Sequence, residues 1–241
     1  MSGACKENLI SIAVDGPVGA GKSSLCDAVA SALAILHLDT GAMYRAIGLY
    51  ALDQGISPDD EDALARMIAQ EDARVSVDFQ NGQQVTLLNG VDVTGRLREE
   101  AVGKAASAVS KYAVVRKYLV RLQQQIAKER SLLIDGRDIG TVVLPQADLK
   151  IFLTASPEDR ARRRWNELRR RGQRLSYEQV LRDIQERDRR DSERAVAPLK
   201  PAEDSLVVDT TGNTLEQSVA LLQALLLNRF PAQLKEGKPC P

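Results

Sequence analysis

Glycines, a lysine and two hydroxyls follow one another from Gly16 to Ser24 at a spacing that can hold a string of phosphates. Gly16, four intervening residues and then Gly21-Lys22-Ser23 match the P-loop template. Glycine tolerates the backbone turns that aim successive N–H groups inward, and a helix N-terminus already favours anions. Gly16, Gly19, Ala20, Gly21, Lys22, Ser23 and Ser24 are therefore the candidate phosphate cradle. The Lys22 ammonium would lie against the β- and γ-phosphates as a catalytic charge, and the Ser23 hydroxyl would help to hold Mg²⁺. The template also needs its setting. Ile10 to Asp15 reads as a buried strand, and Leu25, Val29, Ala32 and Leu33 recur at helical spacing behind the loop. An ordinary glycine turn preceding Lys-Ser would not bring strand, loop, lysine, hydroxyl and helix into agreement. A nucleoside triphosphate is the expected ligand.

The second group able to do chemistry is a run of arginines: Arg160, Arg162, Arg163, Arg164, Arg169, Arg170 and Arg171, with a break at Gly172. Three readings are open. The arginines can meet the interspersed acids Glu158, Asp159, Glu167, Asp183, Glu186 and Asp188 on a solvated helical pair. They can bind nucleic acid, although the alternating acids and the lack of interleaved aromatics speak against that. Or some of them can close over the phosphates as a lid, stabilising the charge that spreads over a moving phosphoryl group and excluding water. The count alone does not say which arginines do which.

The elements that must carry these groups alternate between strand and helix. Ile35-Leu36-His37-Leu38 is a short apolar run that ends in Asp39-Thr40-Gly41, and a helical pattern follows through Met43, Tyr44, Ala46 and Ile47. That places Thr40 and Arg45 at the carboxyl end of a strand, where open α/β sheets bind ligands. His37 lies inside the apolar run and reads as a packed or surface residue rather than a catalytic one. Leu132-Leu133-Ile134-Asp135 is a second buried strand ending in an acid, with the shape of a Walker-B strand; Leu149–Leu153 and Ser205–Asp209 supply two more. Between them, Arg74–Phe79 alternates with period two, Asn81-Gly82 signals a hairpin, and Gln84–Leu88 returns. This small antiparallel meander interrupts the strand–helix alternation and reads as an insert.

Composition sets the outer limits. The 241 residues are 44% hydrophobic but only 4% aromatic, so the core must be aliphatic. A formal net charge of +0 argues against a general polyanion-binding protein. Cys5, Cys26 and Cys240 show no paired or metal-ligand spacing, which leaves reduced thiols in a cytoplasm as the expectation. No apolar run is long enough to span a bilayer, and no secretory leader pattern is present.

Four motifs together carry a resemblance: the P-loop, Leu-Asp-Thr-Gly-Ala-Met-Tyr-Arg at 38–45, Asp-Gly-Arg-Asp-Ile-Gly-Thr-Val-Val at 135–143, and Glu-Arg-Asp-Arg-Arg-Asp-Ser-Glu-Arg-Ala-Val-Ala-Pro-Leu at 186–199. From about Leu9 to Leu225 the chain resembles the bacterial cytidylate kinases, within the nucleoside monophosphate kinase family of P-loop enzymes. The resemblance implies that Arg45, Arg137 and Arg194 hold a monophosphate, that Ser107, Arg116 and Asp138 read a cytosine edge, and that Arg187 and Asp191 contact the sugar. It places Thr40 near the acceptor nucleotide and makes Arg163 and Arg164 the lid arginines with a catalytic part.

The expected fold is α/β, a P-loop-type parallel sheet flanked by helices, with a small antiparallel insert and an arginine-rich helical lid. Residues 1–66 and 107–241 would form the kinase core, including a lid at about 157–176, and 67–106 the inserted part of the monophosphate-binding domain. The expected reaction is ATP-dependent phosphorylation of CMP and dCMP with Mg²⁺, by a cytoplasmic monomer that binds neither nucleic acid nor membrane. A kinase for UMP, AMP or a hydroxylated metabolite is the nearest rival; a carboxylate at Asp138 suits the cytosine amine and repels the uracil carbonyl. A GTPase-type regulator lacks its Asn-Lys-x-Asp segment here.

Overall fold

The computed structural model describes residues 9–170, 172–194 and 196–234. Arg171 of the arginine run, Ala195 of the 186–199 motif, Cys5, Cys240 and the tail from residue 235 lie outside them. In chain order the elements are β1 (Ser11–Asp15), α1 (Lys22–Leu33), β2 (Leu36–Asp39), α2 (Thr40–Asp53), α3 (Glu61–Ala69), β3 (Val75–Gln80), β4 (Gln83–Leu88), β5 (Val91–Asp92), α4 (Glu100–Val109) and α5 (Ala113–Ala127). There follow β6 (Leu132–Asp135), β7 (Leu149–Thr154), α6 (Pro157–Arg170), α7 (Tyr177–Ser192), β8 (Leu206–Asp209) and α8 (Leu215–Arg229).

A five-stranded sheet runs in the order β2-β6-β1-β7-β8. β1 pairs with β7 in parallel, Ile12 opposite Leu149, and β7 with β8, Ile151 opposite Leu206. This is the parallel sheet that the alternation of strands and helices called for. The chain divides into two compact units, 1–35 with 133–241, and 36–132.

In the first unit the core is aliphatic. Ile12, Val14, Leu133, Ile151 and Leu153 pack with Leu25, Val29 and Leu33 of α1 and Leu222 and Leu226 of α8, and Phe230 is the one aromatic in that buried cluster. Strands covered on both faces read as unbroken apolar runs, which is why β1, β6 and β7 were visible as such. α8 starts at a capping box, with the Thr214 side chain on the Gln217 amide and the Gln217 side chain on the Thr214 amide. α6 and α7 form a hairpin with a small core of its own: Ala161, Leu168, Val180 and Ile184, packed against Val18, Trp165, Tyr177 and Leu181.

The second unit contains the antiparallel sheet β3-β4-β5. Asn81 and Gly82 both take positive φ, 53° and 77°, the mirror-image turn that Asn-Gly predicts. α2 and α4 pack so closely that a Cβ on Gly48 would lie 2.9 Å from the Ala106 amide nitrogen. The unit is wider than the insert at 67–106, because α2 belongs to this packing and β4 binds the end of β2 through Gln84.

Candidate active site

The loop expected to cradle phosphates runs from β1 into α1. Gly16 has φ 151°, and a Cβ there would stand 2.0 Å from the Leu153 carbonyl oxygen, so only glycine lets the loop leave the sheet at this point. Gly21, at φ 80°, precedes α1, and the loop therefore ends on a helix N-terminus. Lys22 is buried at 5% exposure and donates to the carbonyls of Gly16 and Pro17, at 2.7 and 2.9 Å. Burial, and then the Arg137 charge nearby, push the Lys22 pKa down to about 7. An incoming phosphate would restore its charge. The Ser23 hydroxyl donates to Asp135 Oδ2 at 2.9 Å. The P-loop hydroxyl thus meets the acid that ends β6.

Asp15 sits at the other root of the loop. Its two carboxylate oxygens accept the amides of Ile139 and Gly140, each at 2.8 Å. Burial raises its pKa to about 6 against the pull of those amides. The residues so held follow Asp138 directly. Asp138 is buried, its carbonyl accepts from Val142, and its side chain makes no capping bond to the π-helical turn Ile139–Val143. Arg137 donates to Asp191 Oδ2 at 3.1 Å, so two of the expected acceptor residues meet. Arg187 lies one helical turn before Asp191 on α7. Arg194 donates to the Ala197 carbonyl just beyond that helix.

The arginines of α6 separate into distinct kinds. Arg160 is 4% exposed, donates to the carbonyls of Ala155 and Val18, and pairs with Asp188 at 2.6 Å. It is a strut between the P-loop, β7's end and α7. Arg163 binds the carbonyl of Thr210 and pairs with Asp159 at 2.6 Å, beside Gly21 of the loop. Arg164 pairs with Glu167 at 2.7 Å, with both side chains 42% exposed. The acid-pairing reading therefore describes much of this run.

In the second unit, Thr40 opens α2 and Arg45 lies on its next turn, paired with Asp39 Oδ2 at 3.4 Å. Ser107 is on α4, half-buried, where its carbonyl accepts from the Ser110 hydroxyl. Arg116, on α5, is buried and lies over the Tyr44 ring at 5.8 Å, with a bond to the Ser110 carbonyl at 3.4 Å. His37 is buried within β2, as expected of a packed residue.

A family model described as cytidylate kinase matches residues 12–226. This chain belongs to the cytidylate kinase family. Among curated members of the family, the cytidylate kinase of Caldicellulosiruptor bescii is 47% identical over 86% of this chain and 91% of its own length. That of Pasteurella multocida is 46% identical over 88% of this chain and 93% of its own. A gluconokinase structure from Sinorhizobium meliloti 1021 is 14% identical, with TM-score 0.47, over 91% of this chain and 92% of that one.

Sequence reasoning about this family member missed the contacts of Asp15, the pairing of Asp135 with Ser23, the bracing part of Arg160 within the arginine run, and the grip of Gln84. Asp135 carried a signal, the acid closing a buried strand. Asp15 and Arg160 act on main-chain groups 124 to 142 residues away, which no local pattern announces.

Proposed function

We propose that this chain transfers the γ-phosphoryl group of ATP to CMP and dCMP. An oxygen of the acceptor's 5′-phosphate attacks the γ-phosphorus, the bond to the bridging oxygen breaks, and ADP leaves with CDP or dCDP. No covalent enzyme intermediate is needed, and the protein's work is alignment, charge neutralisation and exclusion of water. The observation that carries this reading is the P-loop itself, with Lys22 buried among its carbonyls and the Ser23 hydroxyl 2.9 Å from Asp135.

A hydroxyl beside a carboxylate suits Mg²⁺, which takes one or two protein oxygens together with phosphate and water. Ser23 and Asp135 would hold it, and it would neutralise charge on the β- and γ-oxygens. Gly16, Gly19, Ala20, Gly21 and Ser24 would complete the cradle, with Lys22 countering the charge of the transferring group. Arg163 and Arg164 are assigned to the lid, where Arg163, at its root, favours donor binding. Arg45, Arg137 and Arg194 are assigned to the monophosphate, Arg187 and Asp191 to the sugar, Ser107, Arg116 and Asp138 to the cytosine edge, and Thr40 to the neighbourhood of the acceptor nucleotide. A monomer in the cytoplasm is proposed with this. No helix among the described residues is long and apolar enough to cross a membrane.

A coupled assay of ADP release against a panel of nucleoside monophosphates tests the reading. CMP and dCMP should be turned over well ahead of UMP and AMP, and chelation should stop turnover until Mg²⁺ is returned. A folded protein that releases ADP with UMP or AMP in preference to CMP refutes the acceptor. One that releases none with any of them refutes the reaction.

A further inference from the structure

The antiparallel sheet of the second unit holds no phosphate group by the roles above, yet one of its side chains grips the corner that carries Arg45. Gln84, on β4, accepts the Asp39 amide on Oε1 at 2.7 Å and donates from Nε2 to the Asp39 carbonyl at 3.2 Å. One side-chain amide thus satisfies both main-chain groups of a single residue, as a neighbouring strand would. The Gln84 amide is itself fixed, because Nε2 also reaches the hydroxyl of Thr86 at 3.1 Å. Thr86 is fully buried and its own amide donates to the Thr94 hydroxyl at 2.9 Å.

Asp39 passes this restraint on. Its Oδ1 accepts the Ala42 amide at 3.1 Å and caps α2, while Oδ2 takes Nη1 of Arg45 at 3.4 Å. A carboxylate that both caps a helix and holds a guanidinium sets the guanidinium's direction only if its own main chain is fixed. Gln84 supplies that fixing. We propose that Gln84 is a positioning residue for the acceptor phosphate: it holds the Asp39 main chain and, through Asp39, aims Arg45. This rests on the assignment of Arg45 to the monophosphate. It gives the inserted sheet a task in the reaction, since removing the sheet would remove the anchor of that arginine.

The test uses the full chain and a cycle of variants, reading CMP and ATP dissociation constants by calorimetry together with melting temperature. Gln84→Met keeps the side chain's length and removes its hydrogen bonds. It should raise the Kd for CMP about five- to twenty-fold, the scale of one or two lost hydrogen bonds, and leave that for ATP unchanged. In an Arg45→Ala background the same substitution should change CMP binding no further. Should Gln84→Met fail to fold, Gln84→Glu, which retains the acceptor and loses the donor, is read in the same cycle and should show a smaller rise that also vanishes with Arg45→Ala. A rise of equal size in both backgrounds, or a matching loss of ATP affinity, overturns the positioning role. If Arg45→Ala weakens CMP and the Gln84 variants do not, the proposal alone fails. If Arg45→Ala leaves CMP binding unchanged, the assignment of Arg45 fails first and the proposal with it.

Discussion

Lys22 must be charged where burial resists charge, and its pKa of about 7 is the measure of that conflict. Above pH 7 the lysine of the free protein is largely neutral, and a polyphosphate beside it favours the ammonium. Nucleotide binding should therefore take up a proton, more at pH 8 than at pH 6. Calorimetry in two buffers of different ionisation enthalpy measures this, and Lys22→Met should abolish both the uptake and turnover, the latter by about 10²–10³ or more. Asp15 offers a second titration. Its folded pKa is raised, so its contribution to stability is full below pH 3.8 and lost as pH rises through about 6. Asp15→Asn turns an amide N–H₂ toward a backbone N–H and should cost about 1–3 kcal/mol. That deficit should shrink between about pH 4 and pH 6, as melting curves across the range will show; a deficit that grows with pH would mean that burial does not dominate. Asp138→Asn should collapse the ratio of kcat/KM for CMP over UMP, because an amide no longer distinguishes a ring amine from a ring carbonyl; a fall in both activities together with the melting temperature would make Asp138 merely structural. The strand, the glycine turn and the helix from Ser11 to Leu33 were legible because they follow one another along contiguous backbone. The contacts of Asp15 were not, since its two partners are 124 and 125 residues away.

At the scale of elements, the α6–α7 hairpin shows how little a run of like residues says about each member. Arg160, Arg163 and Arg164 stand within five positions of one another and were indistinguishable by type. Burial and contacts sort them: Arg160 is buried against the P-loop and α7, Arg163 reaches the loop and Thr210, and Arg164 is half-exposed. Arg160→Met leaves the carboxylate of Asp188 without its partner and two carbonyls without donors, and should cost about 3–5 kcal/mol. Restoring part of that loss with Asp188→Leu in the same chain would identify the pair as its source. Arg163→Ala should raise the KM for ATP and lower the melting temperature, because its partners are at the lid's root. Arg164→Ala should lower kcat with little change in stability, since its pairing with Glu167 is half-exposed. Equal melting temperatures for the Arg163 and Arg164 variants would contradict this division. The strands and the Asn-Gly hairpin were readable because each announces itself within a few residues. The full extent of the second unit was not, because it is set by the approach of α2 to α4 at Gly48, 58 residues before Ala106.

For the molecule as a whole, 33 basic and 33 acidic side chains cancel, and on the α6–α7 hairpin Arg160, Arg163 and Arg164 each pair with an acid. Aromatic residues are few enough that the chain contains a single tryptophan. Trp165 packs against the small core of the α6–α7 hairpin, its indole N–H on the Leu175 carbonyl at 2.9 Å, its ring edge-to-face with Tyr177 and beneath the guanidinium of Arg169 at 4.6 Å. All intrinsic indole emission therefore reports from the one hairpin assigned to cover the phosphates. Stopped-flow fluorescence of the unlabelled protein would time that hairpin's response to ATP and to CMP separately, with no introduced dye and no background from the sheet.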